Sequence, residues 1–186
     1  MTRLAFLLTL ACAGRRLRAA RGSPAREKLE AIEKKAVPSG QTVRFTSGEL
    51  LEYAREELVR KQVRGVRTSW FRLGTNQAEG SAWIEFNQVS ESVVGRPPGM
   101  LSRLLLRGER QVDVAVRVSS QDGWCRVDLL SVEVDGWELE GRALDWVIAN
   151  YVLPRYPNAK INTWFQLESN IRRVAVTPGA VAVQIL

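Results

Sequence analysis

The sequence predicts an α+β fold in which an antiparallel sheet bends around an apolar helix in the C-terminal half, with a second helix nearer the N-terminus. Three stretches carry that expectation. From Leu139 to Leu153, Leu144, Val147, Ile148, Tyr151 and Val152 form the i, i+3, i+4, i+7, i+8 stripe of an amphipathic helix. Trp146, Ala149 and Leu153 add a second apolar face, so this helix needs apolar contact on two sides. Val112, Val114, Val116 and Val118 alternate without error against Asp113, Ala115 and Arg117, which is the period of a half-buried strand. The strand that follows from Trp124 changes phase: Cys125, Val127 and Leu129 share one side, then Leu130, Val132 and Val134 take over. A one-residue bulge near Leu129 and Leu130 restores the pattern and bends the sheet.

The remaining elements follow in chain order. Met1-Thr2-Arg3 and the apolar run Leu4 to Ala13 have the layout of an export signal, with an A-x-A site ending at Ala13. The run is too short to span a bilayer, which takes about 20 apolar residues. A lipoprotein signal acylated at Cys12 is the rival reading, although Thr9, Leu10 and Ala11 make an imperfect lipobox. Arg15, Arg16, Arg18 and Arg21 oppose translocation and fit a basic leader instead. Residues 23 to 41 read as a solvated lead-in helix, opened by Ser23 and Pro24, and a linker broken at Pro38-Ser39-Gly40. A single domain then occupies residues 42 to 186.

Thr42 to Phe45 is a short extended arm, and Thr46 with Glu49 is a capping box opening a helix whose buried face is Leu50, Leu51, Ala54, Leu58 and Val59. Gly65 ends it. Val66 to Leu73 and Gly80 to Val89 form a hairpin around Thr75 to Ala78, which places Phe71 and Leu73 with Ala82, Ile84 and Phe86 and sets Trp70 opposite Trp83 on the other face. After the Gly95-Arg-Pro-Pro-Gly99 loop, Leu101 to Leu106 is either a helical turn or an exposed apolar flap, and helix is the expectation. Pro154 stops the apolar helix, and strands at Trp164 to Leu167, Ile171 to Val176 and Val181 to Ile185 close the chain, the last two joined by a Pro178-Gly179 turn.

Composition excludes more chemistry than it suggests. There is no histidine, so Ser-His-Asp and Cys-His arrangements and histidine metal sites are impossible. No P-loop, G-x-G-x-x-G or G-x-S-x-G occurs. Cys125, mid-strand, reads as a small hydrophobe, and Glu138 with Glu140 as a solvated turn. The net charge of +7 belongs to the leader: residues 1 to 35 hold nine basic and three acidic side chains, and residues 36 to 186 hold eighteen and seventeen. A body so nearly neutral is not expected to bind nucleic acid. Arg172 and Arg173 on a strand point to opposite faces. Six tryptophans, Trp70, Trp83, Trp124, Trp137, Trp146 and Trp164, are either core and cross-strand packing or a broad apolar surface for acyl chains or a protein partner.

The export-type leader, the capped Thr46-Ser-Gly-Glu-Leu-Leu helix, the valine strand, the apolar helix after Leu139 and the closing Ile171-Arg-Arg-Val-Ala-Val-Thr-Pro-Gly-Ala-Val hairpin together resemble tubular lipid-binding (TULIP-like) bacterial envelope proteins of the YceB-like kind. The likeness spans about residues 42 to 186 and is one of pattern, without an invariant motif. It implies a highly curved sheet wrapped around a long helix with an apolar groove for lipid. The expectation is therefore a non-enzymatic protein of the periplasm or cell envelope, without cofactor or metal, that binds a lipid or other hydrophobic small molecule. Its groove or core residues are Leu144, Trp146, Val147, Ile148, Tyr151 and Val152, and it associates peripherally with membrane. The alternative is an envelope interaction module that pairs with a protein partner through an exposed strand or the Trp70 and Trp83 face.

Overall fold

The computed structural model describes residues 22–89, 108–152 and 160–186, with only the backbone for Thr68, Ser69, Tyr151 and Val152. In order the elements are α1 (Pro24–Glu33), β1 (Thr42–Thr46), α2 (Ser47–Arg60), β2 (Val66–Gly74), β3 (Gln77–Glu85), the short α3 (Phe86–Val89), β4 (Glu109–Gln121) and β5 (Trp124–Val134). They continue with β6 (Trp137–Glu138), α4 (Gly141–Val147) running into a π turn (Ile148–Val152), β7 (Trp164–Gln166), β8 (Ile171–Thr177) and β9 (Ala180–Ile185). The leader, Cys12 and the Leu101 to Leu106 segment lie outside the described residues.

The strands make two antiparallel sheets. The small one has the order β1-β9-β8, and the large one β2-β3-β4-β5-β6 with β7 also on β5. Long hairpins build the large sheet because their turns are made for it: Asp122 and Gly123 join β4 to β5 with both φ angles positive, the mirror-image turn whose twist matches that of the strands. Register then sorts the side chains. Val112, Val114, Val116 and Val118 of β4 pair with Val134, Val132, Leu129 and Val127 of β5, giving an inner apolar face along the whole hairpin. The register shifts between Ala115 and Val116, which leaves Leu130 unpaired as the bulge the phase change demands.

The β2–β3 hairpin departs from expectation in register. It closes as Gly74 opposite Gln77 around Thr75-Asn76, with a bulge between Thr68 and Trp70. Trp70 therefore faces Ser81, and Trp83 faces Arg67. Both indoles stay on the outer face, but as diagonal neighbours instead of a direct pair. After Glu85 the chain turns into α3, so Phe86 ends in a helix and not in the strand.

The main core fills the space between the small sheet, α1, α2 and the hairpin-tip half of the large sheet. Phe45, Leu50, Tyr53, Val116, Val118, Cys125, Val127, Phe165, Val174 and Val183 belong to it. The capping box of Thr46 and Glu49 is formed, with Glu49 N donating to Thr46 Oγ1 at 3.2 Å and Thr46 N donating to Glu49 Oε2 at 2.8 Å. The lead-in helix is not solvated as expected: Ala25, Leu29 and Ile32 of α1 are buried in this core. Ser23 sits at the N-cap position of α1 but its hydroxyl donates to Glu56 Oε2 of α2 at 2.7 Å. Glu57, only 3 % exposed, receives Arg26 of α1 at 2.6 Å together with Arg60 at 2.9 Å and Lys61 at 3.0 Å. These bonds fasten the first helix to the second.

The largest correction concerns the C-terminal half. A sheet wrapped around a long apolar helix does not form; the structure is mostly β-sheet with short helices. Seven residues, Gly141–Val147, make α4, and none of them is buried. The physical reason is local. Asn150 Nδ2 donates to the Trp146 carbonyl at 2.8 Å, taking the acceptor that the next α-helical bond would use, and the chain widens into the π turn. Apolarity on two faces called for cover on two sides, but the main core is filled by α1 and α2, and α4 rests on the margin of the sheet.

Candidate functional site

The candidate site is the half of the inner apolar face that the main core does not reach. Toward the hairpin tip, Val116, Val118, Cys125 and Val127 are sealed beneath the small sheet and the first two helices. Toward the other end, Phe86, Val112 and Val132 form a second cluster with Ile84, Val114, Leu129, Val134, Leu139 and Leu144 packed against them and only partly buried. The division follows from strand length: β4 runs thirteen residues and β9 only six, so the small sheet cannot cover the long hairpin.

Among the described residues, two short pieces cover this end. Phe86 enters from α3, directly after β3. Leu139 and Leu144 enter from the segment after β6, which is pinned where Leu139 N donates to the Val132 carbonyl at 2.7 Å. Asp135 and Gly136, both with positive φ, make the tight turn that puts Trp137 opposite Val134. Trp137 is thus on the inner side but 80 % exposed, beyond the cluster.

Of the residues expected to line a groove, Leu144 packs on the second cluster, while Val147 and Ile148 are half-buried. Trp146 is 40 % exposed. Tyr151 and Val152 fall in the π turn, with their side chains outside the described residues, and Cys12 lies outside them altogether. The structure therefore brings Leu144 to the sheet together with residues that the sequence reading assigned to strands, namely Ile84, Val112, Val132 and Val134. Their alternation placed them on one face; nothing in it told which part of that face the core would leave thinly covered.

The polar groups at this end are largely paired: Arg110, on the inner side opposite Ile84, pairs with Asp135 at 2.9 Å, and Arg67 pairs with Glu109 at 2.9 Å. No group of three or more potential metal-binding side chains occurs among the described residues. Cys125 is fully buried, and burial pushes its thiol up to about 12, so it is not a nucleophile in the folded chain. Burial also drives the Tyr53 hydroxyl up to about 12, with the Glu57 charge adding to it.

None of the six tryptophans belongs to the buried core; Trp83 is half-buried and the other five are between 39 % and 80 % exposed. No helix among the described residues is long and apolar enough to cross a membrane. No family model matches the chain, nor does any curated protein or solved structure.

Proposed function

We propose that this protein is a non-catalytic binder of a hydrophobic ligand, an acyl chain or lipid, held beneath α4 against the end of the inner sheet face that the main core does not reach. One observation carries the reading: a continuous apolar strip on β4 and β5 extends past the main core, and six of the nine hydrophobic residues at its far end are only partly buried. Partly covered apolar surface at a margin bordered by exposed indoles is where a hydrophobic ligand gains most from leaving water. The likeness in pattern to lipid-binding envelope proteins supports the same ligand class, without the wrapped helix it implied. The apolar Leu4 to Ala13 stretch supports a place in the periplasm or cell envelope.

Native mass spectrometry of the full chain purified from its own host tests the proposal, followed by displacement of a fluorescent acyl probe. Expected are a lipid mass on the native protein and probe binding that Leu144→Glu lowers at least tenfold, because a carboxylate would replace the one α4 side chain packed on the cluster. A native protein carrying no lipid, together with no probe binding, overturns it. A second reading, an interaction module, is favoured by Trp70, 39 % exposed on the outer face of an edge strand with Arg72 stacked over its ring at 5.4 Å. It predicts co-purification of a protein partner that Trp70→Ser releases.

A further inference from the structure

The outer face of the large sheet carries its own feature at the tip of the β4–β5 hairpin. Register places Arg117, Trp124, Arg126 and Trp164 together on that face, with Trp164 directly opposite Arg126 and Gln166 opposite Trp124. Both indoles are exposed. The tip is seamed to the free edge of β8: Gly123 N donates to the Arg172 carbonyl at 2.7 Å, Val174 N donates to Ser120 Oγ at 3.0 Å, and that hydroxyl donates to the Trp124 carbonyl at 2.9 Å.

The seam brings two more arginines to the corner. Strand alternation would send Arg172 and Arg173 to opposite faces, but β8 is irregular between Ile171 and Arg173. With the extra residue, Ile171 and Val174 both point into the core and both arginines are exposed. Arg117, Arg126, Arg172, Arg173 and Lys160 thus lie around the corner against Asp122, Asp128 and Glu168. Arg126 is paired with Asp128 at 2.5 Å, whereas Arg117, Arg172 and Arg173 make no ion pair among the described residues. Among the described residues, three arginines at this corner thus carry charge that no ion pair offsets, in a body of almost no net charge.

We propose that this corner seats the protein on an anionic lipid bilayer, the two indoles at headgroup depth and the unpaired guanidiniums on lipid phosphates. Indole is the side chain that prefers the boundary between apolar and wet phases. Guanidinium is a planar fork for phosphate oxygens. An apolar anchor combined with a basic patch is the two-signal arrangement that surface binding needs. The inference does not depend on what occupies the inner face.

Vesicle flotation of the full chain tests it, using phosphatidylcholine alone and phosphatidylcholine with about a third phosphatidylglycerol, alongside quenching of tryptophan emission by brominated acyl chains. Expected are binding to the anionic vesicles only, release at high salt, and about thirtyfold weaker partition for Arg172→Ala/Arg173→Ala, at roughly fivefold per arginine. Trp124→Phe/Trp164→Phe should lose most of the quenching. These side chains are exposed, so an unchanged urea midpoint verifies that each variant is folded. Equal binding to both vesicle types, undiminished flotation of the arginine variant, or binding of nucleic acid or an acidic protein with none to vesicles overturns the proposal.

Discussion

Replacing Glu57 by glutamine should destabilise the fold by about 3 kcal/mol at neutral pH, and the loss should fade in acid. The carboxylate is 3 % exposed, and burial alone would raise its pKa. Hydrogen bonds from Arg60, Arg26 and Lys61 outweigh that and hold it at about 2, against an ordinary value of 4.5. The difference at about 1.36 kcal/mol per unit gives roughly 3 kcal/mol. A depressed carboxyl pKa contributes stability that is complete above the unfolded value and disappears as pH falls through the folded one. The window is therefore between about pH 4.5 and pH 2. Glutamine cannot titrate and leaves three cations around a neutral amide. Urea unfolding of both proteins at pH 7 and pH 3 reads the gap, which should shrink to less than half at pH 3. A gap that is the same at both pH values, or below about 1 kcal/mol at pH 7, refutes the argument.

Two further outcomes follow from packing. The Cys125 thiol, fully buried and pushed up to about 12, should resist Ellman's reagent in the native protein at pH 8 and react completely in urea; fast native labelling would show the main core to be open there. Gly65→Ala should cost about 3 kcal/mol, since φ is +76° and a Cβ would stand 2.7 Å from the Glu85 carbonyl oxygen. Gly40→Ala has the same backbone cost at φ +79° with nothing within 4 Å, so it should cost only about 1 kcal/mol, and equal urea midpoints for the two would refute the clash.

What the sequence discloses depends on whether the information is local. The β4 alternation, the Leu130 bulge, the Thr46 capping box and the closing hairpin involve residues close along the chain, and each is present. The register of Trp70 failed because it hangs on where a turn closes, a choice made by a positive φ at Asn76. The α1 stripe was readable, for Ala25, Leu29 and Ile32 lie at i, i+4, i+7, but alanine is too small to declare itself as core. Glu57 showed Arg60 and Lys61 at helical spacing and concealed Arg26, which reaches it from another helix. Trp124 could be placed outside from Cys125 inside; its company with Arg172 could not, because it depends on the seam between two sheets.

The two covers of the inner face differ in how firmly they are held, and that difference suits a binding role. Displacing α1 would expose Leu29 and Ile32 and break the bonds to Glu56 and Glu57, a loss of several kcal/mol. Displacing α4 removes the partial burial of Leu144, Val147 and Ile148, about 2–4 kcal/mol, because a helix of seven residues without a side-chain cap has no stability of its own. A state with α4 lifted would then hold about 0.1 to 3 per cent of molecules, close enough to the ground state for a ligand to select it. Under the proposed function, burial of about three to five methylene groups at about 0.8 kcal/mol each offsets the displacement. Any longer chain leaves a net gain, and the main core beneath α1 and α2 need not loosen for exchange to occur.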